Sequence, residues 1–446
     1  MSGLRERMNR LRGRSGDSTG TEADTATAEG LSGQTAESLP DQVAEADRWS
    51  PVWTRMNVRA AMNEWGSYLL RETVYPLDYY HGYHRLSELK EAARPLRAFH
   101  PSSSPEPDAY NLLFLDLETT GLGVGTGNVP FMVGLAFVRG DQFVVEQYLI
   151  RHPAEERAML ARLSERLNNS SYLVTYNGKT FDWPVLAGRY IMNGFKRNQP
   201  NLLHLDFLHP SRSIWRNTLT SCRLSHVEEE RLGIHREDDV PGSLAPSIYF
   251  QFLSDGDPAP LEGVFRHNEI DMLSLAGLAV RFGRLLDGGL GRDVPYPEQP
   301  EELLRTGLWL EKLKGPGAAE PLFERLAARD RIESGWSLPL AARDKKVGNW
   351  KRAVLLWQKI VVEAESSFWP SYDAHIELAM YYEHRMKDAE SALRYAETAL
   401  RLALKRPADR QTPLKRRAEL EAIRGRIERL KRKTTKNSDR GQISAF

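Results

Sequence analysis

The chain has 446 residues, of which 41% are hydrophobic, and this length is typical of two or three domains that each bury a core. Its 61 Lys and Arg residues are balanced by 60 Asp and Glu residues, so the net charge of +1 excludes a uniformly basic protein that coats nucleic acid. The single cysteine, Cys222, excludes an intramolecular disulfide and a multi-cysteine zinc site. It fits a reducing cytosol, so we expect a cytoplasmic protein. No apolar run approaches the roughly 18–20 residues of a membrane helix, so we expect no membrane partner.

Residues 1–48 are predicted to be a disordered N-terminal segment. Residues 17–47 are rich in Ser, Thr, Ala, Gly and acidic residues and contain no Lys, Arg or aromatic residue, so they bury too little apolar surface to offset the entropy of ordering. The aromatic and basic lead-in that follows, residues 49–107, is expected to pack its rings on the next domain. The alternative is that it presents a stacking and phosphate-binding edge to a single nucleic-acid strand.

Residues 108–290 are predicted to form an α/β domain. Apolar runs and turn signals predict strands over 111–118, 130–138, 142–150, 172–176 and 202–208, and helices over 153–167, 181–192 and 265–286. Three antiparallel strands followed by alternating helices and strands is the layout of a ribonuclease-H-like fold. We therefore expect a mixed five-stranded sheet with flanking helices.

Residues 297–432 show only a helical pattern. Ala319, Leu322, Phe323 and Leu326 recur 34 residues later as Ala353, Leu356, Trp357 and Ile360, and part of the set recurs after a further 39 residues as Ala392 and Ala396. A 34-residue period is typical of tetratricopeptide-like repeats, which make a concave surface for a protein partner; the 39-residue step requires a longer helix or loop. The alternative is an all-α cap that only stabilises the preceding domain.

The end of the chain is strongly basic. Residues 401–433 contain thirteen Lys and Arg residues against four acids, which indicates either a solvated helix face or a non-specific phosphate contact. Residues 433–446 are predicted to be a disordered tail.

The strongest chemical signal is a pair of acids at the end of the first predicted strand of the α/β domain. Asp116 and Glu118 are two residues apart, so both lie on one face of the strand while Leu113, Leu115 and Leu117 fill the core on the other. Two adjacent buried carboxylates repel each other unless a cation lies between them. A salt-bridged or helix-capping pair is the alternative to a divalent metal site.

Further acids occur at two other places in the chain. Asp182 lies at a predicted strand-to-helix junction, where a helix N-cap is the common role of Asp. His267 and Asp271 are four residues apart and share one face of a predicted helix, where they form either a simple helix pair or part of a site. Asp116, Glu118, Asp182 and Asp271 together form an all-oxygen ligand set that suits two Mg²⁺ or Mn²⁺ ions, roughly 3.5–4 Å apart in two-metal sites, and His267 is suited to deprotonate the attacking water.

These segments resemble the DEDD superfamily of 3′–5′ exonucleases. Asp116 and Glu118, followed by two threonines and a glycine, match its first motif, Asp182 its second and Asp271 its third. His267 stands at the general-base position, but the three residues between it and Asp271 are the spacing of the tyrosine-type branch, whereas the histidine-type branch usually has four. Other segments resemble the bacterial ribonuclease H-like (YprB-type) branch: Arg71-Glu72, Tyr75-Pro76-Leu77-Asp78, Asp239-Val240-Pro241-Gly242, Tyr249-Phe250 and Ser274-Leu275. The resemblance implies a nuclease with two divalent metal ions but does not imply its substrate. The leading hypothesis is a 3′–5′ exonuclease that acts on single-stranded DNA or RNA. The alternative is a catalytically weak nucleic-acid-binding scaffold whose repeats recruit a protein.

Five residues near these motifs are candidates for substrate binding. Thr119 and Gly121 begin a glycine-rich loop that either admits a terminal nucleotide or is a plain flexible turn. Asn177, Lys179 and Asn268 are placed to contact the terminal nucleotide or phosphate, with structural capping as the alternative for the two asparagines and solvent exposure for the lysine. Asp206 is predicted to be a buried, hydrogen-bonded aspartate.

Overall fold

A seven-stranded mixed sheet forms the centre of the computed structural model, which describes residues 50–121, 123, 127–195, 202–366, 371–405 and 413–443. The order of its strands is β1-β2-β7-β6-β5-β8-β9, with β5 parallel to β8, β8 parallel to β9, and the other pairs antiparallel. The bounds are β1 Val58–Asn63, β2 Gly66–Pro76, β5 Leu112–Thr119, β6 Pro130–Arg139, β7 Gln142–Leu149, β8 Tyr172–Thr175 and β9 Leu203–Asp206; a separate two-stranded pair consists of β3 Tyr80–His81 and β4 His84–Arg85.

The five strands predicted from the sequence are all present, but the prediction of a five-stranded sheet is wrong. The lead-in does not merely pack on the sheet, because its β1–β2 hairpin pairs with β7 along Leu69–Pro76 and becomes part of the sheet. The lead-in then continues as short helical turns to Phe99. The predicted disordered segment, residues 1–48, lies outside the described residues.

Helices cover both faces of the sheet. Their bounds are α1 Pro51–Arg55, α2 Leu89–Ala92, α3 Glu156–Asn168, α4 Asp182–Met192, α5 Leu208–Trp215, α6 Leu224–Val227, α7 Ala245–Asp255 and α8 Leu261–Leu286. The long helix α8 packs on the face formed by Phe114, Val145 and Val174. Helix α3 packs on the opposite face, where Arg166 forms an ion pair with Glu146. Because β5 is covered on both faces, it reads as an almost uninterrupted apolar run.

The C-terminal region is helical, as predicted. The helices are α9 Pro300–Lys314, α10 Pro316–Ala327, α11 Ser334–Val347, α12 Trp350–Ser366, α13 Asp373–Tyr381, α14 Ala389–Lys405 and α15 Pro413–Ile443. The residues that recur after 34 positions are buried on α10 and α12. Helix α12 has 17 residues and α10 has 12, so the longer helix accounts for the later 39-residue step. That these helices are tetratricopeptide-like repeats stays a prediction.

One apolar core runs from the sheet into the C-terminal helices. It includes Phe114 of β5, Phe282 of α8 and Leu378 of α13, and the indole N–H of Trp215 donates a 3.0 Å hydrogen bond to Glu302 of α9. A second cluster joins α14 to α15. Helix α15 continues to Ile443, and residues 444–446 lie outside the described part; the disordered tail over residues 433–446 stays a prediction. None of the described helices is both long and apolar enough to cross a membrane.

Candidate functional site

The acidic residues predicted to form a site are brought together on the α8 face of the sheet. Burial, followed by the negative charges of Asp271 and Asp182, raises the pKa of Asp116 well above its usual range. Burial and the charges of Asp116, Asp271 and Asp182 do the same to the pKa of Glu118. Such mutual repulsion falls off with distance, so three distant stretches of the chain converge here.

Glu118 is the least compensated acid of the group. Its side chain is 7% exposed. Within the described part of the chain it forms no ion pair and accepts no hydrogen bond, while its neighbours Asp116, Asp271, Asp182 and Asp239 all raise its pKa. A buried carboxylate surrounded by other carboxylates is costly, and it either takes up a proton or requires a cation.

Asp182 is the first residue of α4, at the strand-to-helix junction predicted for it. It does not act as the N-cap, because that position belongs to Phe181. Burial is the largest effect on its carboxyl group and, together with the charges of Asp206 and Asp271, raises its pKa to about 7 although backbone N–H groups stabilise the charged form.

Asp206 at the end of β9 holds the loop that leads to Asp182. It accepts hydrogen bonds from the backbone N–H groups of Asn177 at 2.8 Å and Lys179 at 3.1 Å. It is buried and hydrogen-bonded, as predicted. Asn177 has a φ of 71° and its side chain accepts a bond from Thr180 at 2.8 Å, which is the capping role rather than contact with the carboxylates. Lys179 is exposed, and none of its described contacts reaches the four acids.

Asn268 of α8 lies against the acidic group and is fully buried. Its Nδ2 donates to Asp116 Oδ2 at 3.0 Å, and its Oδ1 accepts from Gln147 at 3.0 Å. A Cβ on Gly134 of β6 would lie only 2.1 Å from Asn268 Oδ1, so the glycine makes room for this amide. Asn268 therefore orients Asp116, and its burial leaves no surface for a substrate.

The glycine-rich loop after β5 is closed by a residue that the sequence analysis did not identify. The Nδ2 of Asn128 donates to the carbonyl oxygens of Gly121 and Gly123, each at 2.7 Å. Thr119 is buried and donates to the Gly121 carbonyl at 2.7 Å. In the described part of this loop, Thr119 and Gly121 thus have a structural role; their contact with a nucleotide stays a prediction.

Arg236 is the main functional residue that sequence reasoning missed. Its guanidinium contacts the Asp271 carboxylate and pairs with Glu228 at 2.6 Å and with Asp239 at 3.1 Å. Its side chain is only 7% exposed. It lies in a charged loop without ligand spacing, so nothing in the sequence assigned it to the site; its positive charge neutralises Asp271 but does not pair with Asp116, Glu118 or Asp182.

His267 and Asp271 share one face of α8, as their spacing predicts, with His267 Nε2 3.8 Å from Asp271 Oδ2. The other ring nitrogen, Nδ1, lies 2.9 Å and 3.0 Å from the two carboxylate oxygens of Asp239. Arg236 Nη1 also lies 3.0 Å from this nitrogen. Of the two neighbours, the Asp239 carboxylate is the one that favours a proton on Nδ1, which would leave Nε2 free to accept one. The only sequence signal for Asp239 was its place in the Asp239-Val240-Pro241-Gly242 segment.

The donor set fits a hard divalent cation in chemistry, although its side chains are not arranged around one point. Within the described residues, no three His, Cys, Asp or Glu side chains form a ready-made metal site. All four predicted ligands supply carboxylate oxygens, which suit Mg²⁺ or Mn²⁺, and Glu118, which has no ion pair among the described residues, is the side chain that most needs a positive charge. Asp116, Glu118, Asp182 and Asp271 are therefore the residues that would hold such an ion.

Comparison with known proteins gives one matching family model and one similar protein. Residues 113–282, which contain all four acids and His267, match the RNase_H_2 family model of the RNase_H superfamily. The protein YprB of Bacillus subtilis (strain 168), whose curated name describes it as uncharacterized, is 35% identical over 370 residues, covering 82% of this chain and 86% of YprB. Nucleases of the ribonuclease H-like group typically use divalent metal ions, and membership suggests a nucleic-acid hydrolase. The chain belongs to the family of YprB and contains a domain of the RNase_H superfamily.

Proposed function

We propose that this protein is a divalent-metal-dependent nuclease, specifically a 3′–5′ exonuclease of the DEDD type that hydrolyses phosphodiester bonds of single-stranded DNA or RNA by a two-metal mechanism. The observation that carries the proposal is the buried, mutually repelling group of Asp116, Glu118 and Asp182 with no pairing cation in the described part of the chain. A binding protein gains nothing from negative charge beside phosphates, whereas a hydrolase needs it to hold cations.

Bound divalent cations would neutralise the phosphodiester charge and make the attacking water more acidic. The residues of the chain then divide the remaining work. His267 Nε2 accepts the proton of the attacking water, since Asp239 keeps the other proton on Nδ1. Asn268 fixes the carboxylate of Asp116, and Asp206 fixes the loop before Asp182. Arg236 holds Asp239 and Asp271 on either side of the His267 ring.

The test is hydrolysis of matched DNA and RNA oligonucleotides labelled at each end in turn, with Mg²⁺, with Mn²⁺ and with chelator. Single nucleotides should be released from the 3′ end in the presence of metal. Asp116→Asn and Asp182→Asn should each lower the rate at least about a hundredfold, since each removes one carboxylate from the cation site. Asp330→Asn, an exposed aspartate of the C-terminal region, serves as the control and should keep full activity. Equal activity of the wild type and both site variants would overturn the proposal.

A second candidate function is a nucleic-acid-binding scaffold with weak catalysis. The observation that favours it is the ion pair between Arg236 and Asp271, which supplies one acid with a cation from the chain itself. On this reading the C-terminal helices would be the working surface and would recruit a protein partner. Binding of the same oligonucleotides without hydrolysis in every divalent ion would favour it.

A further inference from the structure

A row of directly opposed residues crosses the sheet and ends at Asp116. In the register of the sheet, Arg71 of β2 lies opposite Gln147 of β7. Gln147 lies opposite Gly134 of β6, and Gly134 lies opposite Asp116 of β5. Directly opposed residues of antiparallel strands share one face of a sheet, so this row connects the lead-in hairpin with the acidic group on the α8 face.

Gly134 leaves a gap in the row, and Asn268 of α8 fills it. A Cβ on Gly134 would lie 2.1 Å from Asn268 Oδ1, so a larger residue would displace the amide. Asn268 Nδ2 donates to Asp116 Oδ2 at 3.0 Å, and Asn268 Oδ1 accepts from Gln147 Nε2 at 3.0 Å. The chain of hydrogen bonds thus joins Gln147 to Asp116 although β7 and β5 are not neighbours in the sheet.

The direction of the Gln147 amide is fixed by its two other partners. Its Oε1 accepts from Arg71 Nη1 at 2.7 Å, and its Nε2 donates to the backbone carbonyl of Phe265 at 2.7 Å. A guanidinium only donates and a carbonyl oxygen only accepts, so a reversed amide would place donor against donor and acceptor against acceptor. Gln147 is fully buried, where such mismatches are costly, and it therefore presents Nε2 to Asn268.

Arg71 is itself held in one position by several contacts. Its Nε donates to the backbone oxygen of Met56 at 3.1 Å, and its Nη1 also pairs with Glu269 at 2.6 Å. The other carboxylate oxygen of Glu269 accepts a hydrogen bond from the hydroxyl of Tyr75. Arg71 and Tyr75 both belong to β2, so the lead-in supplies the donor that sets the direction of the amides.

The direction of the two amides decides what Asp116 receives. With Gln147 as placed, Asn268 turns its NH₂ group towards the carboxylate. Without the donor from Gln147, Asn268 can turn over and present its oxygen to Asp116 instead. The N–H donor at Oδ2 fixes the rotation of the Asp116 carboxylate and so the position of Oδ1. Replacement of groups that hold a metal ligand in this way typically costs 10–100-fold in metal affinity or activity.

We propose that Gln147 is a positioning residue for the cation site: it acts on Asp116 through Asn268, and Arg71 of the lead-in sets its direction. This inference rests on the proposed function, because it concerns the residues that would hold the divalent cation.

The test is titration of the full-length protein with Mn²⁺, in which electron paramagnetic resonance measures the free ion. Gln147→Met keeps the approximate size of the side chain and adds no charge, and it should weaken Mn²⁺ binding at least about tenfold. Gln142→Met, the same replacement at an exposed position of β7, is the matched control and should bind Mn²⁺ as the wild type does. Equal affinity of the wild type and Gln147→Met would overturn this proposal alone. Absence of Mn²⁺ binding by the wild type would overturn it together with the proposed function.

A double-mutant cycle tests whether Gln147 acts through Asn268. Asn268→Ala should weaken Mn²⁺ binding to a similar degree, and adding Gln147→Met to it should cause little further loss. Losses that multiply in the double variant would contradict the connection through Asn268, since two independent structural defects act in that way.

A second replacement of Gln147 covers the case in which circular dichroism shows that Gln147→Met is unfolded. Gln147→Glu keeps the shape of the side chain, and the contact with Arg71 keeps the new carboxylate charged. The carboxylate has no donor for Asn268, so Mn²⁺ binding should again be weaker, whereas the added negative charge alone would strengthen it. Binding by Gln147→Glu as tight as that of the wild type would then overturn the proposal.

Discussion

At the scale of single residues, the contact between Asp239 and His267 sets which ring nitrogen is free. Asp239→Asn retains the shape but replaces the carboxylate at Nδ1 with an amide, so His267 loses its fixed tautomer. We expect the turnover rate to fall about 10–100-fold while KM stays unchanged, because the role proposed for Asp239 is to position His267 and not to bind substrate. Steady-state kinetics on an end-labelled oligonucleotide gives both constants.

The conservative variant provides the control for that measurement. Asp239→Glu keeps the carboxylate and should recover part of the lost rate. If Asp239→Asn raised KM with no change in turnover, or if both variants lost activity only through unfolding, Asp239 would not position His267.

Arg236 gives a second prediction at this scale. Arg236→Met leaves Asp271, Asp239 and the buried Glu228 without their cation, so the free energy of unfolding in chelator should fall by about 3–5 kcal/mol. Mg²⁺ should stabilise this variant more than it stabilises the wild type, since Asp271 becomes available to the ion. Urea unfolding with and without Mg²⁺ measures both effects.

The matched control is Arg266→Met, an exposed arginine one residue from His267 that has no ion pair in the described structure. It should change stability by less than about 0.5 kcal/mol. Equal stability of Arg236→Met and the wild type in chelator would contradict the role assigned to Arg236.

Sequence reasoning was most successful where few structural roles can explain a residue at its position. Two carboxylates at the end of an apolar strand have few explanations, and the structure places Asp116 and Glu118 beside Asp182 and Asp271 as that pattern predicts. Arg236 and Asp239 were missed because a loop with mixed charges shows no periodicity, and its fold depends on contacts that are distant in sequence. Asn268 was identified as a substrate-binding candidate, but it is buried and donates a hydrogen bond to Asp116.

At the scale of elements, one buried acid forms ion pairs with the last helix in addition to its apolar packing. Glu383, in the helical turn after α13, is 4% exposed and pairs with Arg429 at 2.9 Å and Lys433 at 2.8 Å on α15. Hydrogen bonds and charge from Arg429 and Lys433 lower the pKa of Glu383 from 4.5 to about 2. The charged acid therefore stabilises the docked helix.

The sign of the pH dependence follows from this shift. Because the folded-state pKa lies below the unfolded one, the stabilisation is complete above pH 4.5 and is lost as the pH falls towards 2. Glu383→Gln should lower stability by about 1 kcal/mol at pH 7, and the difference from the wild type should shrink as the pH falls below 4.5. Thermal unfolding at several pH values tests this.

Glu390→Gln on α14 is the control for the pH series. Glu390 is exposed and lies 3.9 Å from Arg394, so its replacement should leave stability almost unchanged at every pH. A difference between Glu383→Gln and the wild type that grew as the pH fell would contradict the assigned ion pairs.

The edge of the sheet shows why elements can be missed. The hairpin of β1 and β2 carries Arg, Glu and Thr, and three consecutive residues of β2, Tyr68 to Leu70, are buried, so its alternation of apolar and polar positions is weak. The central strand β5 is buried on both faces and gives a clear apolar run. Pairing of β2 with β7 is a contact between distant parts of the chain, and local sequence patterns do not report such contacts.

At the scale of the whole molecule, the apolar core crosses the boundary predicted between the α/β domain and the C-terminal helices. Phe282 of α8 lies 5.7 Å from Trp309 of α9, measured between ring centroids, and Trp215 is bonded to Glu302. A chain ending at residue 290 would expose this surface. We expect it to lose cooperative thermal unfolding and near-ultraviolet circular dichroism.

The control is a chain ending at residue 405, which lacks only the last helix. Helix α15 packs in the separate cluster with α14, so this shorter chain should still unfold cooperatively. Cooperative unfolding of the chain ending at residue 290 would show that the two parts fold independently and would contradict the continuous core.

The central claim is that Asp116, Glu118, Asp182 and Asp271 hold divalent cations together. The most direct measurement is anomalous scattering from crystals of the protein grown with Mn²⁺. The account predicts manganese peaks coordinated by these carboxylates, with Glu118 bound to the ion and Arg236 displaced from Asp271. Crystals that contain Mn²⁺ in solution but show no peak among the four acids, with Arg236 still bound to Asp271, would contradict it.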